Sequence, residues 1–400
     1  MACEQVTLQD VCELIVDCPH TSAKDEGVGY PLIRTPNVGR GRLILTDVHR
    51  VSQDVYERRV SRAVPRQGDL ILAREAPAGN VAIVSPGIEV CLGQRTMLLR
   101  PDSSFVVPEY LNYYLNAPEQ RDRMLRLANG ATVSHINVAD IRNMPVQLPS
   151  RGEQSKVAEL LNVLDDKIDL NNRLNDYLEQ LCQSLFDRFD NDENNLFVKV
   201  SDIADVNPRR TLKKGEEALC VEMADLSTTG AFPTDWRTKA YNGGVKFVNG
   251  DTILARITPC LENGKAGYIN FLEQDEVAFG STEYIVLTSK GELPSEFFYF
   301  LARNEDFISY ATAHMNGSSG RQRVSGADVG NYEVRMPSEK QVSEFKEIAG
   351  KAMRVISASS IESRKLAQSR DALLPKLMSG EIDVSEVDLT QPTNNHLADC

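Results

Sequence analysis

The sequence predicts an α+β protein built as an internal repeat: two mixed α/β domains, each followed by one long helix, with the two helices packed on each other as a coiled coil. Three observations carry this expectation. "GDLILAR" at residues 68–74 returns as "GDTILAR" at 250–256. Two capping boxes introduce two long helix-like stretches, and apolar positions in those stretches recur with a 3.5-residue period. At 400 residues the chain is long enough to bury more than one core.

Other landmarks return at a similar offset. "LGQRTMLLRP" at 92–101 matches "FGSTEYIVLT" at 279–288, and "PEYLNYYL" from Pro108 matches "PSEFFYFL" from Pro294. "NGATVSHINVADIRNMPVQLPS", ending at Ser150, matches "NGSSGRQRVSGADVGNYEVRMPS", ending at Ser338. The offset drifts only from 182 to 188 residues. A period so long is no solenoid repeat, and it indicates two copies of a domain.

Each copy presents its elements in the same order. Short β-type runs come first, "DLILA", "NVAIV" and "RTMLL" in one and "DTILA", "AGYINF" and "TEYIVLT" in the other, punctuated by Gly, Pro and Asn. A proline then opens a helix-like stretch, 108–127 and 294–314, with stop signals at Asn129-Gly130 and Asn316-Gly317. Next come Ser150-Arg-Gly-Glu153 and Ser338-Glu-Lys-Gln341. In such boxes the serine hydroxyl accepts from the N3 amide while the Glu or Gln reaches back to the cap amide. The expected boundaries are a first domain 1–149, a helix 150–190, a second domain 191–337, a helix 338–380, and an acidic tail 381–400 for which disorder is the default.

In the first helix Val157, Leu161, Leu164, Ile168, Asn171, Asn175, Leu178, Cys182, Leu185 and Phe189 alternate steps of four and three, the pattern of a coiled-coil seam. The second follows it less cleanly through Val342, Phe345, Ala349, Ala352, Ile356, Ser359, Ser363, Leu366, Arg370, Leu373 and Leu377. Each helix would run for about 50 Å. With apolar stripes to cover, the economical partner for each is the other. Asn171 and Asn175 leave two readings open: a buried polar pair that fixes register, or a rotated seam with solvated amides.

Composition is that of a globular protein, 42% hydrophobic and 25% charged. No long apolar run and no basic-apolar leader is visible, so a cytoplasmic protein without a membrane span is expected. Eight cysteines form no C-x-x-C, which argues against a zinc ribbon, and Cys12, Cys18 and His20 lack a fourth ligand. No phosphate-binding loop, dinucleotide fingerprint or H-E-x-x-H is present. "VNPRR" at 206–210 lacks the Asn-Pro-Pro-aromatic of an amino-methyltransferase, and Ser134, His135 and Asp140 are too close in sequence to read as a triad. No catalytic residue and no metal site is expected.

The net charge of −13 is not spread evenly. Nine arginines, Arg34, Arg40, Arg42, Arg50, Arg58, Arg59, Arg62, Arg66 and Arg74, face only Asp47, Asp54, Glu57 and Asp69 within 34–74. Residues 191–337 hold 15 Lys and Arg against 21 Asp and Glu.

Two globular units, each followed by a helix that opens with P-S-x-x-E/Q, resemble the specificity subunit of a type I restriction-modification system. "DCPHTS" at 17–22, "YPLIRTPNVGRGRL" at 30–43, "LPSRGEQSKVAELLNVLDDKIDLNNRLNDYLEQLCQSLF" at 148–186 and "LLPKLMSGEI" at 373–382 carry the similarity. It covers nearly the whole chain up to about residue 383. The resemblance implies two target recognition domains, each reading half of a split site in double-stranded DNA, and an antiparallel helix pair as spacer. It implies docking of two methyltransferase subunits, which bring S-adenosylmethionine, and of restriction subunits that use ATP and Mg where they are present. The chain itself would hold no cofactor and catalyse nothing. The phosphate-positioning and base-reading face would then include the nine arginines above, since Arg can form paired bonds with a guanine edge or a phosphate. In the second domain the candidates are Arg209, Arg210, Lys213, Lys214, Arg256, Arg321 and Arg323. The competing reading is a scaffold or decoy that binds the methyltransferase without reading DNA, which the acidic net charge favours.

Overall fold

The computed structural model describes residues 4–128, 135–190, 192, 195–318 and 320–384. Asn129-Gly130, Ser134 and residues 385–400 of the expected tail lie outside the described residues. Packing divides the chain into two units, Met1–Asp165 with Gln368–Cys400, and Asp166–Ala367. The division falls within the long helices, Arg151–Asp190 and Glu339–Ser379, so each helix contributes residues to both units.

The main sheet of the first unit orders its strands Cys12–Asp17, Thr96–Pro101, Leu70–Ala73, Val81–Ile83 and Gly41–Arg42. The second unit repeats the arrangement with Ala204–Val206, Tyr284–Ser289, Thr252–Ala255 and Ala266–Tyr268. Each unit adds a second sheet, of three strands in the first unit and four in the second, and a two-stranded ribbon, Glu4–Thr7 with Pro145–Leu148 and Phe197–Lys199 with Glu333–Arg335. The doubled phrase is the central strand with its entry turn. Gly68 and Gly250 take φ of +84° and +86°, which glycine adopts without Cβ strain. The next residue, Asp69 or Asp251, folds its carboxylate back onto the Arg66 or Val248 amide at 2.8 Å.

Those two carboxylates are buried, and each holds an arginine. Asp69 accepts from Arg100 Nε and Nη2, both at 2.8 Å. Asp251 accepts from Arg210 Nη2 at 2.7 and 2.6 Å and from the Thr288 hydroxyl at 2.5 Å. The copies thus share the buried acid but draw its partner from different elements. Burial is the largest influence on Asp251 and moves its carboxyl upward, while the bonds from Thr288, Val248 and Arg210 pull the other way.

The expected helix-like stretches are each two helices. Pro108–Asn116 and Pro118–Leu127 are separated by Ala117, held extended at ψ 143° by the proline that follows. In the second unit Glu296–Arg303 and Glu305–Ala313 are separated by Asn304, whose side chain accepts from the Asp306 and Phe307 amides and starts the second helix afresh. The first helix of each pair is buried against the sheet and a long helix. Tyr110, Leu111 and Tyr114 pack with Val157, Leu161, Leu374 and Leu377 in the first unit, and Phe297 and Phe300 pack with Phe186, Phe189 and Phe345 in the second.

Both capping boxes form. The Ser150 amide donates to Glu153 Oε2 at 2.9 Å and the Ser338 amide to Gln341 Oε1 at 2.8 Å. Along the seam Val157, Leu161, Cys182, Leu185, Phe345 and Ile356 are buried, and Leu164, Ile168, Leu178, Leu366 and Leu373 are half-buried. The helices run antiparallel within each unit. In the first, Asp165 pairs with Arg370 at 2.7 Å. In the second, Asn171, 3% exposed, donates to Ser359 O, Glu362 Oε2 and Ser363 Oγ at 3.3, 2.8 and 3.2 Å. Asn175 bonds Ser360 Oγ at 3.2 Å and accepts from Ser359 Oγ at 2.5 Å. Of the two readings left open, Asn171 follows the buried polar one, while Asn175 is half-buried and bonded across the helix pair.

Candidate nucleic-acid interface

The arginine that ends the repeated phrase is clamped identically in both units. The Arg74 amide donates to Arg95 O at 2.8 Å, and the Arg74 carbonyl accepts from the Ile136 amide at 3.2 Å. The Arg256 amide donates to Glu283 O at 2.9 Å, and the Arg256 carbonyl accepts from the Val324 amide at 3.0 Å. At one rim of each main sheet, therefore, the end of the central strand meets the loop before the last strand and the segment that leads to the ribbon. The loop after the first strand joins the same rim. In the first unit Asp17 takes Arg74 Nη1 at 2.7 Å, and His20 O accepts from Gln94 Nε2 at 2.8 Å. In the second, Arg209, Arg210 and Arg256 line one cleft of about 530 Å³ with Lys246.

The structure sorts the arginines of the first unit by what already holds them. Arg40, Arg58, Arg62 and Arg66 are exposed, and Arg34, Arg42, Arg50 and Arg74 are half-buried. Arg50 donates to Gly29 O at 2.8 Å. Arg74 gives Nη1 to Asp17 and Nε to Ile136 O at 2.9 Å. Arg59 is 6% exposed and donates to the carbonyls of Leu92 and Thr21. It does not share the surface expected of it: its charge is solvated by backbone oxygens inside the unit. Arg121, absent from the sequence-based set, stands close enough to Arg40 that burial and then this like charge lower its pKa.

In the second unit Arg209, Lys213, Lys214 and Arg321 are exposed, and Arg210, Arg256 and Arg323 are half-buried. Arg210 is committed to Asp251, and Arg323 makes a bidentate pair with Glu283, Nε to Oε2 at 2.8 Å and Nη2 to Oε1 at 2.7 Å. That pair holds the Glu283 carboxyl below its ordinary range. Lys246, also outside the sequence-based set, lies 5.0 Å from the Tyr241 ring centre. Sequence reasoning missed Lys246 and Arg121 because both reach their surfaces from positions outside the arginine-rich stretches.

Among the described residues no group of three or more His, Cys, Asp or Glu could hold a metal, and no helix is long and apolar enough to cross a membrane. The thiols of Cys12 and Cys182 are pushed up to about 12 and that of Cys91 to about 11, by burial in each case, and so are poor nucleophiles.

Comparison with known proteins agrees with this architecture. Residues 2–180 match the family model of the type I restriction modification DNA specificity domain. The chain is 20% identical to the type I restriction enzyme HindI specificity subunit of Haemophilus influenzae, over 79% of this chain and 87% of that protein. It is 22% identical to the MjaIX specificity subunit of Methanocaldococcus jannaschii, over 85% and 84%. In fold it is similar to the crystal structure of a type I restriction-modification S subunit from M. genitalium, with TM-score 0.58 and 15% identity, covering 94% of this chain and 96% of that one. With the repeated α/β units, the paired helices and the basic rims in hand, the chain is similar in sequence and fold to specificity subunits of type I restriction-modification systems, and its first 180 residues carry the match to the DNA specificity domain.

Proposed function

We propose that this chain is a specificity subunit of a type I restriction-modification system, a non-catalytic reader of a split, asymmetric site in double-stranded DNA, with one half-site for each unit. The observation that carries the reading is the rim built twice on one backbone plan but faced with different side chains. Identical clamps on Arg74 and Arg256 fix the frame. The groups around them, Asp17, His20 and Arg95 in one unit and Arg209, Lys246 and Glu283 in the other, differ in charge and shape. A shared frame with divergent faces suits two related but unequal reading tasks. The long helices, which enter both units, would set the spacing between the half-sites.

Docking of methyltransferase subunits belongs to the same proposal. On the first long helix Leu170, Leu174, Tyr177 and Leu181 are 61%, 42%, 70% and 49% exposed. They follow one another at steps of four, three and four on a face other than the seam. An apolar stripe of this period suits helical segments of a partner. S-adenosylmethionine would come with that partner, and ATP with Mg with a restriction subunit.

The test is to express the chain with its methyltransferase in a host free of DNA methylation and to map modified bases. A two-part motif modified on both strands is expected. A stable complex that leaves no modified motif would overturn DNA reading and favour the scaffold or decoy, for which the net charge of −13 is the supporting fact.

A further inference from the structure

Arg74 and Arg256 occupy the same backbone position but differ in what their guanidinium groups do. Arg74 is paired: Asp17 takes Nη1 and Ile136 O takes Nε. In the second unit the strand that corresponds to Cys12–Asp17 runs into Val206, Asn207, Pro208 and Arg209, a stretch without a carboxylate. Glu283, whose carbonyl holds the Arg256 amide, gives its carboxylate to Arg323. The guanidinium of Arg256 is left with no hydrogen-bond acceptor among the described residues, and its Nε is buried.

The surroundings define what the missing partner must be. Among the described residues no carboxylate lies within ion-pair distance of Arg256, Arg209 or Lys246; Glu283, already paired with Arg323, feels the Arg256 charge only from farther off, and the fourth cation of the cleft, Arg210, is neutralised by Asp251. Three positive charges line a cleft open enough for a planar group. A guanidinium with no protein acceptor stays available to the acceptors of a ligand, and Arg256 presents it from a main chain clamped on both sides. A fixed guanidinium fork matches two acceptors in one plane, which the O6 and N7 of guanine supply in the major groove. Arg209, in the loop after the first strand, and Lys246, on an edge strand of the second sheet, suit the flanking phosphates.

We propose that Arg256 is a specificity-determining residue of the second unit and reads one guanine of its half-site, with Arg209 and Lys246 holding the adjacent backbone. The assignment rests on the DNA-reading function proposed above and names the group that performs it. Arg74, in contrast, positions the rim of the first unit and reads nothing directly.

The experiment compares the wild-type chain with Arg256→Ala, Arg256→Lys and Arg209→Ala in the full complex with methyltransferase, by mapping modified bases and by measuring duplex binding against salt. Arg256→Ala and Arg256→Lys should both lose about 10-fold or more of their preference for guanine at one position in one half-site and leave the other half-site unchanged. Arg209→Ala should weaken all duplexes alike and reduce the salt slope by about one. If Arg256→Lys retains the full motif, or if Arg256→Ala weakens every sequence equally, the residue meets a phosphate and the assignment falls. A wild-type complex that modifies no motif would instead bring down the DNA-reading function itself, so the two failures are distinguishable.

Discussion

Replacing Asn171 by Ala and by Leu should give changes of different size, and the structure sets the magnitudes. The Asn171 amide has two protons and three acceptors, at 2.8, 3.2 and 3.3 Å. Asn171→Ala removes about two effective hydrogen bonds, a loss of roughly 1–3 kcal/mol. The acceptors are not stranded: Glu362 is 47% exposed and can rehydrate, and Ser359 O belongs to a helix that already bonds it. Asn171→Leu loses the same bonds but gains burial of a side chain of similar volume, worth about 1.5–3 kcal/mol. The leucine variant should therefore lie within about 1 kcal/mol of the parent or above it, while the alanine variant falls below. Denaturant unfolding monitored by helix signal reads both. A second readout comes from Glu362, whose carboxyl Asn171, first, and Lys167 hold below the ordinary range. In Asn171→Leu its NMR titration should move up towards the usual carboxylate value. A leucine variant as unstable as the alanine variant would refute the view that Asn171 serves register more than stability.

Several other sites discriminate between internal and external roles. Asp69→Asn and Asp251→Asn each strand a largely buried arginine and should lower stability by roughly 3–5 kcal/mol in a guanidinium melt; a loss under 1 kcal/mol would show that the buried pair can rearrange. Leu178→Asp, in the seam, should destabilise the fold. Leu174→Asp, on the exposed stripe, should leave the melt unchanged and abolish co-purification of methyltransferase; retained co-purification would place docking elsewhere. Arg59→Ala should lower the melting temperature by several degrees without altering the salt slope of DNA binding, and a changed slope would return Arg59 to the interface.

Sequence made the architecture legible wherever the determinants are local or periodic. A capping box spans four residues and a heptad seven, so Ser150 with Glu153 and the run from Val157 to Phe189 announce themselves. The breaks at Ala117 and Asn304 were less visible because they interrupt stretches whose apolar content continues across the break. Arginine roles were legible only as composition. Arg59 finds its acceptors at Thr21 and Leu92, Arg74 at Asp17 and Ile136, and Arg210 at Asp251; none of these partners is a sequence neighbour. Whether an arginine stabilises its own domain or faces a ligand depends on tertiary distance, which a run of nine in the sequence does not encode.

The acid of the entry turn has a consequence for divergence. Both units keep Asp69 or Asp251 in the same bent-back conformation, yet one is neutralised by an arginine on the neighbouring strand and the other by an arginine from a loop. What the fold demands at this point is a compensated charge rather than a particular partner. After duplication, either half could therefore accept mutations along its variable edge while its foundation stayed sound, and the two halves were free to acquire unlike tastes without a matching change in each other.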